Sequence, residues 1–595
     1  MTSYSAPLAD MRFVIYELAG LEGIASECGF GEASPELIDA ILEEAARFGA
    51  QVLAPLNQSG DQEGCVLENG AVSTPEGFRQ AYRAFVAGGW NGVPFDPHYG
   101  GQGLPWLVST AVSEIWNSAN MAFGLCPMLT QGGVELLGAH ASAELKALYL
   151  PKMISGEWTG TMNLTEPQAG SDLAAIRTKA RRQGGHYLIS GQKIFITYGD
   201  HDFTDNIVHM VLARIEGAPE GIKGLSLFAV PKFVTQEDGS PGRANDLRCV
   251  SLEHKLGIKA SPTAVMSYGD GDGAVAHIVG EENRGIEYMF TMMNNARLAV
   301  GLEGVAIAER AYQQAHAYSL DRVQGRPLGG GKPAPIASHP DVRRMLLSMK
   351  ALSEAARALA YFTAGHLDRA RRHPEAETRQ QSQSLVDLLI PVVKSWGADV
   401  GIAVADTAIQ VHGGMGYIEE TGAAQHLRDA RIASIYEGTN GIQALDLVGR
   451  KVAGDGGRAA LALLAQIRAT DSGLAEGEGE PIAAVRRHLQ AGAGALERAT
   501  GWIVETYPDD PGRVAAGAVH YARLAGVVTG GWLMGRAALA AAAKLAAHEG
   551  DREFLKAKLN SARFFADQVL TEAGFLASVF MEGASSISGQ DHDRH

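Results

Sequence analysis

Cysteine is scarce in this chain of 595 residues, which has four, Cys28, Cys65, Cys126 and Cys249. They are far apart, form no CxxC pair and have no histidines at metal-ligand spacing, which excludes a disulfide scaffold and the usual zinc arrangements and leaves reduced thiols as the expectation. Positive charge is also short. Lys plus Arg number 51 against 67 Asp plus Glu, a net charge of −16, which repels phosphate backbones and anionic membrane surfaces, so nucleic-acid binding is not expected. Long apolar runs are missing too. The most apolar stretch, 524–547, is interrupted by Arg536 and Lys544 and is rich in Ala and Gly, so it predicts a packed helix and no membrane insertion. Residues 1–12 carry Asp10 and no basic region followed by an apolar run. No secretory leader is expected there, the mature chain is expected to begin at that point, and the expected location is cytoplasmic.

Familiar cofactor signatures are absent as well. The loose Gly454, Gly456, Ala459 spacing follows a helical pattern rather than a strand, so its dinucleotide reading fails on context. Gly331-Lys332 is followed by Pro333 and lacks a Gly five residues before Gly331, so it is no phosphate loop. No Gly-x-Ser-x-Gly elbow and no His-Glu-x-x-His helix occurs, which removes most support for hydrolase and metalloenzyme chemistry.

What is present reads as a large globular chain, with 46% hydrophobic and 20% charged residues, enough for three or four domains. Residues 1–34 form an N-terminal extension. Helical spacing, as in Leu37, Ile38, Ile41, Leu42 and Ala45 after Pro35 and Glu36, predicts an α domain over 35–157. Residues 158–280 change period to short β-rich runs at 187–189, 193–197, 207–215 and 225–230, broken by Gly191, Gly199 and Gly217. Helical patterns return at 286–318, 340–372, 380–411 and 442–452, predicting a four-helix bundle over 281–452. The Gly- and acid-rich stretches 454–457 and 472–481 predict a linker at 453–480, before an appended helical domain at 481–595. The class is therefore α+β, in the uncommon order α, β-barrel-like, α. The closing Asp591, His592, Asp593, Arg594 and His595 read as a solvated tail rather than a metal site.

Four segments concentrate small and polar residues. In 162–172, Met162-Asn-Leu164-Thr165-Glu166-Pro-Gln-Ala-Gly-Ser171-Asp172, Pro and Gly fix a turn whose N–H groups and hydroxyls can face a ligand, although alone it could be a surface loop. In Lys193-Ile194-Phe195-Ile196-Thr197, an aromatic ring and a hydroxyl at i and i+2 share one strand face, an alternation that also suits a half-buried strand. Gln410-Val411-His412-Gly413-Gly414-Met415-Gly416 ends a helix with more glycines than a C-cap needs. Tyr436-Glu437-Gly438-Thr439-Asn440 places a carboxylate before a helix that Thr439 or Asn440 could cap, where an acid is also favoured for plain helix-terminus reasons.

In this order and layout, these segments, with Arg428-Asp429-Ala430-Arg431, resemble the acyl-CoA dehydrogenase family of flavoproteins over about residues 35–452. The start Tyr4-Ser5-Ala6-Pro7-Leu8 and the extra C-terminal helices are similar to a longer branch that acts on fatty acyl and 3-(methylthio)propanoyl thioesters. The resemblance implies FAD between the β domain and the bundle. Met162, Leu164, Thr165, Ser171, Phe195, Ile196 and Thr197 would line the flavin, with Ser171 also near the thioester and Phe195 where the family usually has Trp. Arg322 and Gln324 match a stretch that reaches the flavin pyrophosphate of a neighbouring subunit, here without the family's Phe; Gln410, Gly413 and Gly414 would contact the adenylate end across the same interface, and Thr439 the flavin again. A dimer or dimer of dimers follows from that sharing.

The implied reaction removes the α-proton of an acyl-CoA while the β-hydrogen leaves as hydride to flavin N5, giving a trans-2-enoyl-CoA. Glu437 would be the base, in a dry pocket that raises its pKa, with Arg297 orienting it and Gly438 beside the thioester. Where some members carry the base on a bundle helix, this chain has Ala296, which takes no proton. An electron-transfer flavoprotein is the expected electron acceptor. Two other readings keep the same segments: an acyl-CoA oxidase using O2, and a DNA-associated alkylation-response flavoprotein, whose appended domain should be basic where 479–595 mixes Arg and Lys with Asp509, Asp510, Glu549 and Asp551.

Overall fold

The computed structural model describes residues 4–236 and 238–587. The tail residues 591–595 therefore lie outside the described residues. The chain divides into two units. One comprises residues 47–104 and 115–296, the other residues up to 46, 105–114 and 297 onward.

In the first of these, the β domain is built on an eight-stranded sheet. Its spatial order is Leu247–Leu252, Thr263–Tyr268, His186–Thr197, Ala274–Ile278, Leu225–Pro231, Ile207–Ile215 and Thr159–Asn163, with Lys179–Gln183 paired to His186–Thr197 and Ile207–Ile215. Ile207–Ile215 and Leu225–Pro231 are apolar almost throughout because both faces are covered, and Ile189, Ile196, Val211, Phe228 and Met266 share their core. Gly191 does not end its strand as expected. His186–Thr197 runs through it and exchanges partners there, pairing with Ala274–Ile278 before the glycine and with Thr263–Tyr268 from it onward. The same unit holds a small hairpin within the block expected to be all helical, Val66–Glu68 against Ala71–Ser73, turned by Asn69 and Gly70 at positive φ.

In the other unit the bundle consists of helices Gly285–Asp321 (from Arg297 onward), Pro340–Arg372 and Ala376–His412, while its fourth member is broken into Ala423–Ala430 and Asn440–Asp446. Gly285–Asp321 and Ala376–His412 cross where glycine faces glycine. A Cβ on Gly304 would meet the Gly397 carbonyl oxygen at 2.0 Å, and one on Gly301 the Val393 carbonyl at 2.5 Å, so only glycine permits this approach. The expected linker at 453–480 is mostly a helix, Arg458–Glu476, which buries Leu463, Leu464, Ile467 and Leu474. Asp471 pairs with Arg486 at 2.9 Å on its outer side, so between the two Gly- and acid-rich stretches lies an amphipathic helix. Helices Glu480–Thr506, Ala518–Ala547, Arg552–Gln568 and Ala573–Gly583 complete the appended domain. Three helical stretches, 376–417, 518–547 and 552–583, are long and apolar enough to cross a membrane by length and composition alone; the apolar windows of the first two are 83% buried inside the protein and that of the third 44%.

Candidate active site

Glu437 lies in the break of the fourth bundle member. Its backbone is left-handed, φ +56°, followed by Gly438 at φ +81°. A β-substituted residue is uncommon there and is kept only where the surroundings fix it. Glu437 does not cap the next helix; Thr439 does, its hydroxyl accepting from the Ile442 N–H at 3.2 Å. Gln443 Nε2 donates to the Glu437 carbonyl at 3.0 Å. Glu437 is half-buried, and burial around its carboxyl pushes its pKa up to about 7, against the opposing pull of Arg297 and Lys394.

Arg297 is not a surface arginine. It is 5% exposed on helix Gly285–Asp321, with Nη1 3.9 Å from Asp446 Oδ2, and burial lowers its pKa while Asp446 and Glu437 oppose that. Structure thus brings Glu437, Gly438, Thr439 and Arg297 into one neighbourhood. Two further ionisable groups belong to it that sequence reasoning missed, Glu303 and Lys394. Both are fully buried, and burial moves the first up to about 8 and the second down to about 8. Their signal was available: each is a lone charge inside an apolar helical run, Val300-Gly-Leu-Glu303-Gly-Val and Ile390-Pro-Val-Val-Lys394.

The other candidate residues of this unit occupy exposed positions. Arg322 and Gln324 sit in a ribbon closed by Ile336 N–H to Arg322 O at 2.8 Å and Gln324 N–H to Ala334 O at 3.2 Å, which orders the segment without the family's Phe. Gly413 ends helix Ala376–His412 at φ +60°, ψ −138°, a conformation for glycine alone. Gln410, Gly413 and Gly414 are exposed, and a Cβ at either glycine would meet nothing within 4 Å.

In the unit of the β domain, Met162 is the penultimate residue of strand Thr159–Asn163, and Leu164, just after the strand, is buried. The Thr165 carbonyl accepts from Ile194 N–H at 2.9 Å, tying the polar loop to strand His186–Thr197. Beneath the loop Lys193, fully buried, donates to Leu164 O at 2.9 Å and Glu166 Oε1 at 2.8 Å. Burial pushes the Glu166 carboxyl up, but Lys193, Thr178 and the Arg177 N–H outweigh it and hold it at about 2; burial lowers Lys193 to about 8 against Glu166. The pair is therefore ionised at neutral pH. Ser171 is exposed.

Phe195 departs from the expected alternation. Four residues, Lys193 to Ile196, face three, Ala264 to Met266, so Phe195 sits in a β-bulge at φ +59° with its ring 59% exposed, while Ile196 is buried and Thr197 pairs with Thr263. An apolar ring held in water on a strained backbone is a poor structural choice and a suitable platform for a planar heterocycle. A bulged aromatic beside a polar loop fits a flavin.

Four profiles of one family match the chain: acyl-CoA dehydrogenase N-terminal domain over 35–157, middle domain over 161–270, C-terminal domain over 283–452, and acetyl-CoA dehydrogenase C-terminal like over 463–590. The chain is 50% identical over 573 residues to a 3-methylmercaptopropionyl-CoA dehydrogenase of Ruegeria pomeroyi, covering 96% of each. It is 35% identical over 591 residues to the broad-specificity linear acyl-CoA dehydrogenase FadE5 of Mycobacterium tuberculosis, again covering 96% of each. Its fold is similar to an acyl-CoA dehydrogenase complexed with FAD from Bacillus anthracis, with a TM-score of 0.74 at 23% identity, covering 94% of this chain and 90% of that one. The chain belongs to the acyl-CoA dehydrogenase family.

Proposed function

We propose that this chain is an FAD-dependent acyl-CoA dehydrogenase in which Glu437 removes the α-proton of a saturated acyl-CoA to give a trans-2-enoyl-CoA, and that 3-(methylthio)propanoyl-CoA is its preferred substrate. The observation that carries the reaction is the Glu437 carboxyl, held by burial at a pKa near 7 beside Arg297 and Lys394. A carboxylate at its ordinary pKa is too weak a base for a thioester α-proton, whereas one poised near neutral pH is both deprotonated and basic enough to act. The substrate preference is supported by the 50% identity to the Ruegeria pomeroyi enzyme over 96% of the chain.

Met162, Leu164, Thr165, Ser171, Phe195, Ile196, Thr197 and Thr439 would hold FAD. The bound cofactor supplies the acceptor for the β-hydrogen. The chain's own residues do the rest: Glu437 takes the α-proton, Arg297 holds that carboxylate in place, and the backbone N–H of Glu437 and the neighbouring Gly438 would meet the thioester. Arg322, Gln324, Gln410, Gly413 and Gly414 are assigned to the FAD of a second copy of the chain. The exposed apolar Met415, Tyr417 and Ile418 beside those glycines favour a homodimer, alone or paired. The proposed electron acceptor is an electron-transfer flavoprotein and the proposed location is cytoplasmic. The O2-dependent oxidase and DNA-associated readings are not favoured, since the relatives above are named dehydrogenases.

Ranking kcat/KM for saturated acyl-CoAs of three to sixteen carbons against 3-(methylthio)propanoyl-CoA tests the proposal. The methylthio thioester is expected to rank first. A straight chain preferred by more than tenfold contradicts the substrate, and no turnover with any acyl-CoA contradicts the reaction.

A further inference from the structure

We propose that Glu303 and Lys394 are positioning residues for Glu437, each holding one end of the strained turn that carries it from one of the two helices that cross at Gly304 and Gly397. The inference rests on the reading of Glu437 as the base. Two consecutive left-handed residues, Glu437 and Gly438, persist only if the chain on either side is fixed. On one side, Tyr436 packs against Val300, Ala398 and Ala433, and its hydroxyl donates to Glu303 on helix Gly285–Asp321. On the other side, Asn440 accepts from Lys394 Nζ at 3.0 Å and donates to Ser395 O at 3.1 Å and Asp399 Oδ1 at 2.8 Å, all on helix Ala376–His412. Each buried charge is thus directed to a residue of the turn rather than to the other.

A purely structural role does not account for them. The helix crossing is already made by glycine against glycine, and burying a carboxyl and an ammonium costs free energy that apolar residues there would not. Glu303 is moreover left half-satisfied: its Oε1 is buried without a hydrogen-bond partner, so Tyr436 alone accounts for the hydrogen bonding of its carboxyl. Titratable groups facing Glu437 are Arg297, Lys394, Glu303 and Tyr436; those facing Glu303 are Tyr436, Glu437 and Lys394; those facing Lys394 are Glu437, Glu303, Asp399 and Arg297. Burial raises Glu303 to about 8 and so keeps it largely neutral at pH 7; burial lowers Lys394 only to about 8 against the pull of Glu437, Glu303 and Asp399, so Lys394 stays largely cationic and lowers the pKa of Glu437.

The test compares FAD-loaded wild type with Glu303→Ala, Glu303→Gln, Tyr436→Phe and Lys394→Met, measuring kcat, KM and the pH profile of kcat. An infrared titration of the Glu437 carboxyl, taken as the difference between each protein and its Glu437→Gln counterpart, is run alongside. Glu303→Ala and Tyr436→Phe are expected to lower kcat by about 10- to 100-fold, the effect of displacing a reacting group by about 1 Å, with KM within about twofold. Glu303→Gln should recover most of that loss, because its amide oxygen still accepts from Tyr436. Lys394→Met should raise both the Glu437 titration midpoint and the pH at which kcat is half-maximal by about one pH unit.

Wild-type kcat in both Glu303→Ala and Tyr436→Phe, an equal loss in Glu303→Gln and Glu303→Ala, or an unmoved titration in Lys394→Met overturns the inference. If Glu303→Ala does not fold, Tyr436→Phe, which removes one oxygen, carries the comparison. A wild type that turns over no acyl-CoA refutes the reading of function, while the titration in Lys394→Met still decides this one.

Discussion

As the proposed base, Glu437 can act only when it has lost its proton, and burial sets where that happens. With the folded-state pKa near 7, raised from 4.5, the carboxyl is protonated and idle at pH 5 and ionised at pH 9. kcat is therefore expected to rise with pH along a limb of slope one centred near 7. A limb centred near 4.5 would show a solvated carboxylate and contradict the dry site. Of this neighbourhood, Glu437 and Arg297 were readable as candidates through the family resemblance of their segments, and Thr439 as one of two possible helix caps, with Asn440. Glu303 and Lys394 were not, because their role depends on which residues of the turn they reach, Tyr436 and Asn440, and that is set by two helices distant in sequence. Spacing along one helix reveals a lone buried charge but not its partner.

At the scale of elements, the approach of Gly285–Asp321 to Ala376–His412 brings Glu303 and Lys394 to the turn. Gly304→Val would drive a side chain into the Gly397 backbone, and the helices must part. A loss of about 3 kcal/mol or more is expected in urea denaturation, together with a fall in kcat. Unchanged stability would show that the crossing is loose. Long helices were legible because their apolar period persists over many turns, and Pro340–Arg372 has the bounds its pattern predicts. Three features were harder. The hairpin at Asn69-Gly70 carries a recognised two-residue turn signal but lies in a helical neighbourhood. The bulge at Phe195 comes from counting residues across two strands, which one strand cannot reveal. Helix Arg458–Glu476 was hidden because Gly- and acid-rich stretches flank it and overlap its last turns, whereas its five buried apolar residues set its period.

At the scale of the whole molecule, buried charges tie the N-terminal segment and the appended helices to the bundle. Arg357, 1% exposed, donates to Asp10 at 2.6 Å, Glu114 at 2.9 Å and Glu309 at 2.8 Å, and Tyr361 donates to Glu114 at 2.7 Å. Lys558 of the appended domain donates to Asp10 and, at 3.0 Å, to Glu354. Lys558→Met removes the hydrogen-bonded cation of buried Glu354, while Asp10 keeps Arg357, and is expected to cost about 3–5 kcal/mol, read as a lower thermal midpoint, with Glu354→Gln added to it recovering part. Equal midpoints in wild type and Lys558→Met would show the tie to be unimportant. The order α, β, α and an appended helical domain were legible from changes of apolar period; this tie was not, since its members are hundreds of residues apart. The proposed reaction turns on one acidic side chain, and the most direct test addresses it. FAD-loaded Glu437→Gln, mixed anaerobically with 3-(methylthio)propanoyl-CoA, should stay yellow and bind the thioester while its flavin bleaches at least about 100-fold more slowly than in wild type; bleaching within tenfold of wild type would contradict the assignment of the base.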